Sequence, residues 1–500
     1  MRSVNIGAMA AVIFFAATAV AQEHPTAPAG HLADGALWKS ETTVNTRRPA
    51  SKWLCLLPML AVLPLPAAYG QDEVADLRGA VTLAVTQQPL TRSGWFEFQS
   101  SLDAKEAAAG GYYPRLDLEA SWLKEERERP GLSGPISQDL DGDTYGLVLR
   151  QMLFDGFATP AEVGRLDHLS VSAYYRWRQS AEETALEASR AYLDLLRFKE
   201  LNTLADQNLK AHEATLKQID ERVGAGVSKG VDKEQAIGRL ALARSNLLIE
   251  RNNLQDVTAR FQRVVGSRPA AELKPAPAMT AAVPEGAVGT GALDSAPQLL
   301  ASLAETDAAR RAHEGSKAGY YPALELQARR DDGNDIDGVA GDQETTRVAV
   351  VLSYNLFAGG SDRARDRQFA NQLAAAQSRR DASCREVGQT VAVAWSDMQT
   401  VKEQLASLEQ HVQSMTRVRE AYKQQFQLGQ RSLLDLLDTE NELFQAQRSL
   451  VNGRYDLELA AARVLAPRGQ LLNALRISTE KVENAAPSSV ATGCVVPTLN

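Results

Sequence analysis

The chain is poor in aromatic residues, cysteine and histidine, and each shortage removes a class of fold or chemistry. With aromatics at 6%, a sandwich built around large rings is disfavoured, and the Ala, Leu, Gln, Glu and Arg that fill long stretches are the composition of long helices. Three cysteines, Cys55, Cys384 and Cys494, lie far apart, so their spacing suggests neither a zinc site nor a disulfide framework. The six histidines are scattered without ligand spacing, so no metal is expected. Basic charge is also short: the formal net charge is −8, and no basic patch carries interleaved aromatics, which argues against a nucleic-acid partner. No Gly-rich phosphate loop, nucleophile elbow or paired acid and base occurs, so the sequence predicts neither an enzyme nor a cofactor.

Long apolar runs are missing too. The N-terminus holds two short ones, each behind basic residues and before small ones. Arg2 precedes Ile6 to Val20 and Ala19-Val20-Ala21; Arg47, Arg48 and Lys52 precede Trp53 to Pro66 and Ala68-Tyr69-Gly70. Both fall short of the roughly 18 residues of a membrane helix and read as export signals. The second abuts the patterned region, so residues 1–70 are expected to be an export region cleaved near 70/71. Residues 1–46 are expected to be an upstream over-extension. After Gly70, an exported chain of this kind is soluble or spans a membrane as strands.

What is present is a repeat. GYYPRLDLEA, from Gly111 to Ala120, returns as GYYPALELQA from Gly319 to Ala328, an offset of 208. Beyond the strand the offset becomes 203: Leu153-Phe154 answers Leu356-Phe357, and Asp232 answers Asp435. The change falls in LKEERERPGLSGPISQDLDGD, a charged Gly/Pro-rich stretch expected to be a surface loop. Each copy reads helix, strand, loop, strand, helix, turn, helix. The expected organisation is a first repeat over 71–270, a linker over 271–292, a second repeat over 293–476 and a flexible tail over 477–500.

The strands alternate. Leu116, Leu118, Ala120 and Trp122 interleave with Asp117, Glu119 and Ser121; Tyr145, Leu147, Leu149 and Val348, Val350, Leu352, Tyr354 supply the partners. The helices carry a heptad seam, Ala236, Leu240, Ala243, Leu247, Glu250, Leu254, Val257, Phe261 and Val264, answered by Leu443, Ala446, Leu450, Gly453, Leu457, Ala460 and Val464. Four strands cannot close a membrane barrel, for which about eight is the minimum. Either the sheet sits in water or several chains pool their strands, and three chains would give about twelve.

The duplicated plan, GYYP entering a strand, LFDGF and LFAGG leaving one, and two turn segments, VGAGVSKGVD (Val223–Asp232) and LGQRSLLDLLDTENE (Leu428–Glu442), resemble the TolC-type outer-membrane channel proteins. The resemblance spans residues 74 to about 476. It implies a mainly α fold with a small β part: a homotrimer whose twelve-stranded barrel in outer-membrane lipid continues into a periplasmic coiled-coil barrel. It implies an exit duct working with a periplasmic adaptor and an inner-membrane transporter. The stretch KGVDKEQAIGRLALARSNL resembles the type I secretion branch that exports large adhesins, with an ABC-type transporter as partner; multidrug efflux is the alternative. A periplasmic coiled-coil adaptor is a further alternative, but it should carry one hairpin flanked by compact β domains rather than two hairpins.

By the same resemblance, Asp435 and Asp438 line a constriction at the periplasmic end, and Arg431 ties the closed tip to Asp232. Phe426 stands where the family has a tyrosine hydroxyl. Val223, Gly226, Val227, Leu428, Gly429, Ser432 and Leu433 are expected to meet the adaptor. The plainer readings are that the charges are solvated caps and that the small and apolar residues only shape the turns.

Overall fold

The computed structural model of the chain describes residues 73–478 apart from 132–133, 286, 290 and 337–338. The export region, the start at Gln71, and Cys55 and Cys494 lie outside the described residues. Helices α1 (Leu77–Gln87) and α2 (Pro89–Ala109) come first. Pro89 separates them: it confines Gln88 to an extended conformation and then starts α2, where its missing N–H costs nothing. A 3₁₀ turn and Pro114 lead into β1 (Arg115–Gly131), which is followed by β2 (Gly134–Phe154), α3 (Ala158–Gly224) and α4 (Gly230–Val265). The second copy runs α5 (Pro297–Gly315), β3 (Ala323–Asn334), β4 (Asp342–Ser353), α6 (Ser361–Gln427) and α7 (Leu433–Leu465).

Helices α3 and α6 are 67 residues each, about 100 Å at 1.5 Å per residue. Their ends and the starts of α4 and α7 all stand 203 residues apart. The seam expected on α4 is the face that packs: Ala236, Ala243, Leu247, Glu250, Val257, Phe261 and Val264 are buried, and Leu240 and Leu254 half-buried. On α7, Leu443, Ala446, Leu450, Ala460 and Val464 are buried in the same way.

The four strands form one antiparallel sheet in the order β1-β2-β3-β4. Here the structure corrects the sequence. The charged stretch 123–143, expected to be a loop, is a paired hairpin that closes only at Gly131↔Gly134. Its side chains are mostly polar on both faces, with Leu123, Ile136 and Leu140 among them, so apolar alternation is lost, yet the ladder continues. Ion pairs support it within and across strands, Arg127 with Glu125 and Lys124 with Asp141 at 4.0 Å. The extra length makes β1 17 residues against 12 for β3.

The largest core lies partway along the helices. Residues Ala181 to Leu195 of α3 pack against α1, the last turns of α4 and α7, and the segment Leu471–Ile477. Chain-distant backbone is tied in by buried polar groups. The Tyr192 hydroxyl lies 2.9 Å and 2.6 Å from the carbonyls of Ala75 and Lys274. Glu458 accepts from the Met279 amide at 2.6 Å. Met279 and Ala287, within the stretch expected to be a linker, are buried in this core. Cys384 on α6 is disulfide-bonded, although the cysteine spacing did not suggest a disulfide framework.

Glu182 of α3 is almost fully enclosed and accepts from the amides of Leu471 and Leu472 at 3.1 and 3.3 Å, with Arg178 at 3.6 Å. Burial outweighs these partners and pushes its carboxyl from 4.5 up to about 7. The folded chain therefore binds a proton more readily than the unfolded chain between those values. That contribution is fully present below about pH 4.5 and is lost as pH rises through 7. Glu182→Gln should flatten the fall in stability over this window by up to about 3 kcal/mol. Denaturant unfolding of detergent-purified protein at a series of pH values measures this; the same slope in both proteins would contradict it.

Candidate functional site

Two regions carry the functional geometry: the faces of the sheet, and the turns where the long hairpins reverse. On the sheet, the pairings Leu116↔Leu149, Leu118↔Leu147, Ala328↔Val348, Leu326↔Val350 and Leu324↔Leu352 put the apolar residues of all four strands on one side, with Leu149↔Ala328 joining the halves. This side is bare in a single chain, with Leu118 at 76% and Leu352 at 65% exposure. The other side is charged. Arg329 reaches Glu119 at 3.0 Å and Asp331 at 2.7 Å, and Arg150 lies 3.7 Å from Asp117.

Aromatic residues mark both limits of the apolar band. Trp122 and Tyr145 stand at the far end, and Tyr113, Phe157 and Tyr321 at the near end, where Phe154, Phe157 and Tyr321 stack edge to face. From Tyr113 to Trp122 the strand rises about 30 Å, or roughly 23 Å along the normal at a tilt near 40°, the height of a membrane barrel's apolar band. Helix α3 starts just below. Gly156 has φ of 69°, and a Cβ there would lie 2.6 Å from the Ala318 carbonyl oxygen, which explains the glycine of LFDGF.

No helix among the described residues is long and apolar enough to cross a membrane. The sheet carries an apolar band of that height on one face, and its outer strands β1 and β4 have unpaired edges.

The two helical turns are built alike. Gly226 and Gly429, 203 apart, have φ of 75° and 74°, and their amides reach Val223 and Phe426 carbonyls at 3.0 Å each. A left-handed residue ends each helix and lets the next one start. An apolar knot joins the tips: Ile219 and Ala236 pack with Phe426, Leu433, Leu436 and Leu437. Arg222 lies over the Phe426 ring at 4.9 Å and donates to its carbonyl at 3.4 Å. Phe426 thus serves packing. Val223 packs against this knot and Leu433 is buried inside it. Val227 and Leu428 are exposed at the tips, at 66% and 73%, as are Val231 and Leu434 beside them.

The charged residues are placed as follows. Asp232 accepts from the Lys229 amide at 3.2 Å and caps α4. Ser432 caps α7, accepting from the Asp435 amide at 3.2 Å, and its hydroxyl donates to the Asp435 carboxylate at 2.8 Å; this hydrogen bond, with Arg431 nearby, holds the Asp435 carboxyl below its usual range. Arg431 lies 3.6 Å from Asp435, 3.2 Å from the Gln425 side chain and over the Tyr422 ring at 4.1 Å. Among the described residues no ion pair joins Arg431 to Asp232 within one chain. Asp438 pairs with Arg239 of α4. Sequence reasoning missed Arg239 and Arg222, because their partners lie about 200 residues away.

The period-two faces make a direct expectation. Leu118→Arg puts a charge in the apolar band and should cost about 2–4 kcal/mol near its middle, whereas Ser121→Arg on the opposite face should cost little. The folded fraction in lipid vesicles measures both. Equal losses would contradict the assignment of faces.

Comparison with known proteins agrees with this geometry. The family model described as "Outer membrane efflux protein" matches residues 81–267 and 289–469. The chain is 27% identical to the outer membrane efflux protein BepC of Brucella suis over 66% of its length and 72% of that protein's. It is 22% identical to outer membrane protein TolC of Escherichia coli over 87% and 91%. It is 24% identical to the alkaline protease secretion protein AprF of Pseudomonas aeruginosa over 66% and 71%. The solved outer-membrane channel OprN superimposes with a TM-score of 0.69 at 20% identity, covering 79% of this chain and 89% of OprN. The chain therefore belongs to the outer membrane efflux protein family: it is an outer-membrane channel whose helices extend into the periplasm, and not an enzyme.

Proposed function

We propose that three copies of the chain close into one tube, the exit duct of a tripartite export system with a periplasmic adaptor and an ABC-type inner-membrane transporter, and that its cargo is a large adhesin delivered by type I secretion. The observation that carries the tube is the sheet: an apolar band of membrane height on one face, charge on the other, and two open edges. Unpaired edge groups in lipid cost several kcal/mol each, so the edges must be covered. With an even number of alternating strands, β4 of one copy meets β1 of the next antiparallel, and three sheets close twelve strands. The charged faces then line water.

The tips form the periplasmic end in this reading. Asp435 and Asp438, each repeated threefold, stand at its constriction, and the expected Arg431–Asp232 tie falls between neighbouring copies. Val227 and Leu428 face the adaptor. Secretion as the task is supported by the sequence of the first tip and by AprF, whose name describes protease secretion; BepC, named as an efflux protein, supports drug efflux as the second reading.

Deleting the gene separates the two. Loss of one large surface or supernatant protein with unchanged drug tolerance is expected; hypersensitivity to drugs with an intact secreted set would favour efflux. Val227→Asp together with Leu428→Asp should lower crosslinking to the adaptor several-fold without lowering channel yield, and undiminished crosslinking would remove these residues from the contact.

A further inference from the structure

The charge of the constriction is not set by its carboxylates alone. Asp438 lies six residues into α7, and its partner Arg239 comes from α4 of the other hairpin. The pair has no counterpart in the repeat. At the 203-residue offset, Asp438 corresponds to Gln235 and Arg239 to Glu442, a combination that places no cation beside the carboxylate. Among the described residues Glu442 lies 3.9 Å from His411 instead. The duplicated hairpins are thus alike in backbone and unlike in charge at this level. The Arg239 side chain is the more enclosed partner, 29% exposed against 56% for Asp438. It is also close enough to the buried His212 of α3 to help hold that imidazole below its usual pKa, after burial itself. Arg239 is therefore held from the helix side with its guanidinium at the carboxylate, rather than free to swing into solvent.

We infer that Arg239 is the residue that sets the ion specificity of the narrow end, by neutralising Asp438 in each of the three copies. The inference rests on the reading of Asp435 and Asp438 as constriction residues. With Arg239 in place, three of the six carboxylates are matched by a cation from the neighbouring hairpin, and Asp435 is left with Arg431 as its local partner. Removing Arg239 unmasks a ring of three carboxylates, which attracts multivalent cations into the opening. The conservative lysine keeps the charge and should keep most of the effect.

The test uses the full-length channel in planar bilayers, with lanthanum as the blocking cation and reversal potential in a salt gradient as a second readout. Arg239→Gln is expected to lower the half-blocking lanthanum concentration roughly five-fold or more and to raise cation over anion permeability. Arg239→Lys should stay near the wild type, and the gain should vanish in Arg239→Gln combined with Asp438→Asn. Unchanged block in Arg239→Gln overturns the inference, as does a gain that survives Asp438→Asn. Asp435→Asn separates the two levels of the account. If it weakens block while Arg239→Gln changes nothing, only the role of Arg239 fails. If neither variant alters block, the constriction reading itself fails.

Discussion

Backbone hydrogen bonding at the edges of the sheet governs this protein. A four-stranded antiparallel sheet leaves a row of amides and carbonyls bare on β1 and another on β4. In water such edges are tolerable; against hydrocarbon each unpaired group costs several kcal/mol. The apolar band between Tyr113 and Trp122 commits the sheet to hydrocarbon, so the edges can be satisfied only by other strands. No other described element supplies them, and identical copies would supply them in the right direction because the strand number is even.

The helices follow from that commitment. Each strand pair feeds a 67-residue helix through a left-handed corner, Phe157 in one copy and Gly360 in the other. A helix about 100 Å long cannot be covered by one globular core. It is covered along a narrow heptad seam by its return helix, and midway by a core into which α1, the 271–292 stretch and the C-terminal turn are drawn. The carboxylates of buried Glu182 and half-buried Glu458 accept amides from those added segments, so polar groups of irregular backbone are met at the core.

Much of this was legible because it is local or periodic. The GYYP strings marked where helix becomes strand, the alternation at Leu116–Trp122 named the apolar face, and the 4-3 spacing on α4 named its buried residues. The two glycines of the tips needed only their positive φ to be understood. What could not be read depended on partners distant in the chain. The hairpin at 123–143 lacks an apolar face, so the signal that marks strands is missing there, although its backbone pairs throughout. Leu433 looked like a surface apolar residue until Ile219 and Phe426 closed over it. The pairing of Asp438 with Arg239 crosses 199 residues and breaks the repeat, so no reading of one copy against the other could find it.

The central claim is that identical copies complete one another's sheet around water. Native mass measurement of the purified protein, taken together with ion conductance of the same sample in planar bilayers, tests it most directly. The account predicts particles of three chains that carry a steady current and lose it when heat separates them. A single chain per particle, or trimers that leave the bilayer insulating, would contradict it.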